Sequence, residues 1–147
     1  MYKQILVATD GSKLSAKAVS HAISLAQAVG AGLTAFYASP DYPLPAYADG
    51  VVYEPVSKKE YAALATKEAE KILAAVSDKA RAAGLQCATA HAIAASPWEA
   101  ILAAAKKAKA DVIVMASHGR RGVSALLLGS ETQKVLTHSK VPVIVVR

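Results

Sequence analysis

The residues of this chain best suited to chemistry lie between Ala116 and Thr132, in the run Ala-Ser-His-Gly-Arg-Arg-Gly-Val-Ser-Ala-Leu-Leu-Leu-Gly-Ser-Glu-Thr. Gly119 and Gly122 permit positive φ and close backbone approach, and Gly129-Ser130 opens a helical segment whose first N–H groups have no partner inside the helix. Amides pointing one way at the positive end of a helix dipole attract an anion, so the segment suits phosphate. His118 could donate to such a group. Arg120 either touches it or faces water, and Arg121 is assigned to solvent. A second polar turn, Ala8-Thr9-Asp10-Gly11-Ser12, closes the first apolar run with a carboxylate and hydroxyls. Asp10 is expected to contact ligand, against the alternative that it and Ser12 serve only as turn and N-cap residues, whereas helix initiation and anion binding are compatible at Gly129-Ser130.

Several chemistries are excluded by what these loops lack. There is no Gly-x4-Gly-Lys-Ser/Thr loop, and no Gly-x-Gly-x-x-Gly follows the first strand. A Ser12, His118, Asp10 triad has no nucleophile elbow to support it. His21, His91 and His138 show no metal-ligand spacing. Phosphoryl transfer needs a positioned nucleophile and dedicated metal ligands, and only Asp10 offers a carboxylate here. Turnover is expected to be slow or nil, which favours a binding or sensor protein over an enzyme.

Five apolar, β-rich runs must position these loops: Ile5 to Thr9, Leu33 to Ala38, Gln86 to Ala92, Asp111 to Ala116, and Val141 to Val146. Helical periods fill the gaps. Ala18, Ala22, Leu25, Ala26 and Val29 repeat at three and four before Gly30, a C-cap candidate. Tyr61, Leu64, Ala65, Ala69, Ile72, Leu73, Val76 and Ala80 form the stripe of the longest helix, which Gly84 ends. Ser96-Pro97-Trp98-Glu99 and Ser130-Glu131-Thr132-Gln133 both read as capping boxes. Trp98 falls in helical register with Ile101, Leu102 and Ala105, so packing is its default role. The alternation of strand and helix implies a parallel sheet covered on both faces, and continuous apolar strands such as Val112 to Met115 agree. Residues 1–147 read as one domain. The stretch 39–56, with Pro40, Pro43, Pro45 and Pro55 and several tyrosines, is expected to be an irregular loop or lid at the carboxyl edge, where ligands bind in such sheets.

The chain has 147 residues and a net charge of +6, with no apolar run near the ~20 residues of a membrane span. Lysines and glutamates are mixed along the longest helix and no aromatic residues are interleaved with them. The expectation is therefore of no nucleic-acid or membrane partner. The single cysteine, Cys87, agrees with a reducing, cytoplasmic setting and reads as a small buried strand residue.

The glycine segment, the opening Ile-Leu-Val-Ala-Thr-Asp-Gly-Ser and the closing Val-Pro-Val-Ile-Val-Val together resemble the universal stress protein family, whose nucleotide motif is Gly-x2-Gly-x9-Gly-Ser/Thr. Gly119, the nine residues Arg120 to Leu128, and Gly129-Ser130 match it, while Ala116 stands where the family's first glycine belongs. The resemblance implies an open, doubly wound, Rossmann-like α/β sheet of strand order 3-2-1-4-5, which sets the two polar loops side by side. It implies an ATP site with adenine against Ala8, Thr9 and Ala38, and with Asp10 near ribose and Mg. Gly119, Gly129, Ser130 and the backbone of Glu131 would serve ribose and phosphates, and a homodimer would form through Val141 to Val146. Two alternatives stay open: a nucleotide-free interaction module of the same fold, and a flavodoxin-like module in which Tyr42 or Trp98 flanks FMN.

Overall fold

The computed structural model describes residues 1–43, 46–53, 56–120 and 127–147. Its elements are β1 (Gln4–Ala8), α1 (Lys13–Val29), β2 (Gly32–Pro40), β3 (Ala46–Ala48), β4 (Val51–Tyr53), α2 (Lys58–Ala82), β5 (Cys87–Ala94), α3 (Pro97–Lys107), β6 (Val112–Ala116), α4 (Ser130–His138) and β7 (Val143–Val146). Five strands form one sheet in the order β5-β2-β1-β6-β7, with every pair parallel. Counting only these strands, the order is the expected 3-2-1-4-5. The direction of winding reverses between β1 and β6, which opens a crevice at their carboxyl ends.

Alternation along the strands builds two cores. Ile5, Val7, Leu33, Ala35, Val112 and Val114 face α1 and α2, while Leu6, Ala8, Phe36, Ile113 and Met115 face α3 and α4. Central strands buried on both faces must be apolar throughout, as Ile5-Leu6-Val7 and Val112-Ile113-Val114 are. Among the described residues, 12 of the 28 buried apolar side chains are alanines, so the helices, α1 above all through Ala18, Ala22 and Ala26, lie close on the sheet.

Helix ends follow local chemistry, with two departures from the sequence reading. Ser12 caps α1 by accepting from the Ser15 N–H (3.2 Å), and Gly30 ends it at φ 68°. α2 carries a reciprocal capping box that the reading passed over: Glu60 N–H donates to Ser57 Oγ (3.2 Å) and Ser57 N–H to Glu60 Oε2 (3.1 Å). α3 does start at Pro97, but Ser96 makes no side-chain cap. The Glu131 carboxylate takes that place by accepting from the Trp98 N–H (2.9 Å). In α4 the helix already includes Ser130, so Gly129 is the N-cap and the expected box does not form. Gln133 instead donates its side-chain amide to the Leu128 carbonyl (2.9 Å).

The stretch expected to be irregular holds a hairpin, β3 paired antiparallel with β4. Asp49 (φ 50°) and Gly50 (φ 74°) are both left-handed at its turn, the signature of a type I′ turn and the reason for Asp-Gly. The base of the hairpin is tied to α2. Tyr61 OH donates to the Pro40 carbonyl (2.5 Å), Tyr42 OH donates to the Val56 carbonyl, and the two rings meet edge to face at 5.4 Å. Pro45, Pro55, Arg121 and Gly122 lie outside the described residues.

Strand limits also shift. β1 ends at Ala8, although the Thr9 N–H still donates to Phe36 O (2.9 Å). β5 runs from a half-buried Cys87, not a buried one, on to Ala94. β7 begins at Val143, so Pro142 precedes the strand and accepts from the Ile113 N–H through its carbonyl (3.0 Å). No helix among the described residues is long and apolar enough to cross a membrane.

After α3 the chain turns through Lys109 at φ 53°, a conformation that crowds Cβ against the backbone. Lys109→Gly is expected to raise unfolding free energy by up to about 1 kcal/mol, read as a higher urea midpoint at unchanged slope.

Candidate functional site

The crevice at the carboxyl edge is a cleft of about 770 Å³. All eleven residues named from sequence line it: Ala8, Thr9, Asp10, Ala38, Ala116, His118, Gly119, Arg120, Gly129, Ser130 and Glu131. β1 and β6 are neighbours, so residues more than a hundred positions apart share one wall. Sequence reasoning missed the apolar wall formed by Phe36, Tyr37, Ile101 and Met115, and also Asp41 at the root of the hairpin. Only cross-strand register brings these together. Tyr37, for example, pairs with His91 of β5, stacks on its ring at 6.0 Å, and lies two residues before Ser39, whose hydroxyl bonds His91 Nε2 (2.7 Å). Burial lowers the pKa of His91, against a smaller upward pull from Glu70, and burial raises that of Tyr37.

Asp10 joins the two loops. Its Oδ1 accepts from the Ser12 N–H (2.9 Å) and its Oδ2 from the Arg120 N–H (2.8 Å). Burial pushes the carboxyl up, but hydrogen bonds from Ser12, Ser15 and the Arg120 backbone outweigh it, and the pKa lies below the ordinary value. Gly11, at φ 77°, lets the chain turn beneath this carboxylate. A Cβ there would lie 3.0 Å from Arg120 Nη2 and 3.1 Å from Ile72 Cδ1. The Arg120 guanidinium is turned toward α2, where Nη1 stands 3.4 Å from Glu68 Oε1 in a half-exposed ion pair. Thr9 Oγ1 accepts from the Gly11 N–H (3.2 Å) and shares a hydrogen bond with Ser15 Oγ (3.0 Å), which completes the turn.

The glycine loop is anchored to the end of β6. Gly129 N–H donates to Ser117 O (2.8 Å), Thr132 Oγ1 donates to Ala116 O (3.0 Å), and Ser117 N–H donates to Val146 O (2.9 Å). A side chain at Gly129 would be crowded, since a Cβ would stand 3.2 Å from Ser117 O and the backbone there would have to give way. Gly119 does not take positive φ as expected. Its glycine serves close approach instead, since a Cβ there would lie 3.1 Å from Asp10 Oδ2. Ala116 sits in β6 without positive φ, so the family's missing glycine costs no backbone strain.

The donors of the cleft suit an anion. The N-cap of α4 is a glycine, which offers no side-chain cap, and the first amides of the helix lack a helical partner. Glu131, whose carboxylate could have repelled an anion, turns that group away to the Trp98 amide and toward Lys134 Nζ (3.6 Å). His118 bonds Ser117 Oγ through Nδ1 (2.9 Å), while its buried Nε2 has no hydrogen-bond partner among the described residues. The imagined triad is not assembled. Asp10 is taken by backbone amides, Ser12 Oγ by the Ser15 N–H, and His118 Nδ1 by Ser117. No group of three His, Cys, Asp or Glu side chains that could hold a metal ion exists among the described residues. Tyr42 packs on Tyr61, and Trp98 meets the tilted His138 ring at 4.5 Å; neither lines the cleft as a flavin flank would require. A second depression of about 420 Å³, between α2 and β5, has neither a glycine loop nor a helix N-terminus.

The universal stress protein family matches residues 1–147, the whole chain. A universal stress protein of Thermus aquaticus is 37% identical over 147 residues, covering 100% of both chains. Among solved structures, universal stress protein UspA from Lactobacillus plantarum superposes with a TM-score of 0.78 at 26% identity, over 99% of this chain and 98% of that one. A universal stress protein in complex with cAMP superposes with a TM-score of 0.73 at 28% identity, over 99% of this chain and 97% of that one. With sheet order, loop chemistry and sequence in agreement along its full length, this chain belongs to the universal stress protein family.

Proposed function

We propose that the carboxyl-edge cleft binds an adenine nucleotide, ATP in the first instance, and that the protein acts as a stress-response sensor or regulator in the cytoplasm. The observation that carries the phosphate end of this reading is the start of α4, whose N-cap Gly129 makes no side-chain cap and is held so close to Ser117 that a Cβ would crowd its carbonyl at 3.2 Å. Ser130 and the Glu131 backbone present first-turn amides, and His118 and Arg120 line the same cleft. At the other end, Ala8, Thr9 and Ala38 meet the base through backbone. The Thr9 N–H is already committed to Phe36 O, which leaves its carbonyl for an adenine amino group and favours ATP over GTP. The relative solved with cAMP supports an adenine nucleotide at the level of class.

Asp10 lies beside Gly119 and so falls near ribose and phosphates. Mg²⁺ carried with the nucleotide would neutralise phosphate charge, and Asp10 is the side chain that would hold it. Both Asp10 oxygens already accept backbone amides, so this group is poorly placed to take a proton from an attacking water. Turnover is accordingly far below the ~10 per second of a typical enzyme. The hairpin β3–β4, rooted on Tyr42 and Tyr61 beside the cleft residues Pro40 and Asp41, acts as a lid that reports occupancy to a partner. A homodimer forms along β7, the apolar edge strand Val143–Val146.

Gly129→Val is expected to weaken ATP binding in calorimetry by well over about tenfold, because it displaces the amides at the start of α4; equal affinities would remove the glycine loop from the site. Failure of the wild-type protein to bind any adenine nucleotide would instead favour the nucleotide-free module.

Asp10→Ala should weaken ATP binding and cost about 1–3 kcal/mol of stability. The Asp10 pKa is lowered in the fold, so its stabilisation is present above the ordinary aspartate value of about 4 and disappears as pH falls through the folded value. Acid unfolding of the variant should therefore depend less on pH in that window than that of wild type.

Ala116→Gly should leave affinity within about twofold and reduce stability by about 0.5–1 kcal/mol through chain entropy. A tenfold gain in affinity would show that the methyl obstructs the phosphates. Val143→Lys should shift light scattering from dimer toward monomer; a wild-type monomer at micromolar concentration would reject the β7 interface.

A further inference from the structure

In a parallel α/β sheet the helices run back against the strands, so helix C-termini and strand starts collect at the edge opposite the ligand cleft. At that end the fold gathers Lys3 before β1, Lys79 and Arg81 in the last turn of α2, Lys106 and Lys107 in the last turn of α3, Lys109 beyond it, and Lys140 before β7. All seven are exposed. Only Asp78 and Asp111 oppose them among the described residues of these segments, an excess of five positive charges on a chain whose net charge is +6. Asp78 is spent on Arg81 (3.1 Å), and Asp111 on the Lys3 and Gln4 amides (2.8 and 3.2 Å). The C-termini of four helices contribute roughly half a negative charge each at this end, which offsets part of the excess and leaves it positive. The charges of α2 are mixed along most of its length, as its sequence indicates, and the asymmetry arises only when distant segments are folded onto one edge.

We propose that this amino-edge face docks on an anionic lipid surface, with the nucleotide cleft turned away from the bilayer. Six of the seven cations are lysines, point charges on flexible stems drawn from four separate segments. They have no shared register with a phosphodiester backbone, whereas a fluid bilayer can move acidic headgroups beneath each of them. Leu64 on α2 and Ile93 on β5 lie toward the cleft end of their elements, so beyond the terminal Met1 only Leu136, in the last turn of α4 and 40% exposed, is an exposed large apolar side chain at this end among the described residues. That is too little for the apolar centre of a protein interface. The proposal departs from the expectation of no membrane partner: no helix among the described residues is long and apolar enough to cross a membrane, and a peripheral contact of this kind needs none.

The test is flotation of the full chain with phosphatidylcholine vesicles containing about 30% phosphatidylglycerol, against phosphatidylcholine alone. Binding is expected only to the anionic vesicles and should be lost between about 50 and 300 mM salt. The triple variant Lys106→Glu, Lys107→Glu, Lys109→Glu should reduce partition by at least about tenfold, while Lys59→Glu, Lys67→Glu, Lys71→Glu, with the same net charge, should change it by less than about threefold. Circular dichroism checks that both variants fold. Equal losses in the two variants would show that net charge alone drives adsorption and would overturn the proposal. So would absence of binding to anionic vesicles, or tighter binding of a DNA duplex than of the vesicles in the same buffer.

Discussion

The two hydrogen bonds accepted by Asp10 fix the relation between the halves of the cleft. Each half of the sheet could supply a polar loop alone, but a site needs both loops at one separation, and the carboxylate sets it by holding the Ser12 amide with one oxygen and the Arg120 amide with the other. The nearby glycines follow from that bridge. Gly11 must turn beneath it, and Gly119 must pass within reach of Oδ2. A charged acceptor bonded to backbone amides is among the stronger neutral-to-ion hydrogen bonds, and partial burial strengthens it while charging a desolvation cost. Asp10 therefore has a structural role and a ligand-facing position at once, and the two do not compete.

Glu131 shows the same economy between α3 and α4. Its carboxylate satisfies an amide at the start of α3, while its own amide belongs to the first turn of α4. The two helices that cover one face of the sheet are thereby coupled at their N-termini, next to the cleft.

The strands, the helices and the two polar loops were legible in the sequence because they rest on short-range signals: apolar runs of strand length, Ser and Gly at helix ends, and glycine spacing after a strand. The sheet order that joins the loops followed only from the family resemblance, and the apolar wall of the cleft followed from neither. The type I′ hairpin was equally legible in Asp49-Gly50, but the prolines around it drew the reading toward irregular loop. What could not be read were groups whose partners lie far away in the chain. The Ser-x-x-Glu pattern at Ser96 is a capping signal, yet a carboxylate 35 residues later outcompetes it. Likewise the stacking of Tyr37 on His91 depends on a β2–β5 register that no local pattern specifies.

The prevalence of alanine in the buried layer inverts the usual sensitivity of a core to mutation. Where Leu and Phe fill the interior, truncation opens cavities and an alanine scan finds the important positions. Here Ala18, Ala22, Ala26, Ala69 and Ala80 are already as small as a side chain can be while retaining Cβ, so such a scan would pass over them in silence. Their importance is steric. An added methyl or isopropyl group must push a helix off the sheet, and overpacking of this kind typically costs about 1–3 kcal/mol. Natural variation in this layer should therefore be limited upward in volume, toward Gly, Ser and Cys, and the experiment that maps the core is a valine or leucine scan of its alanines.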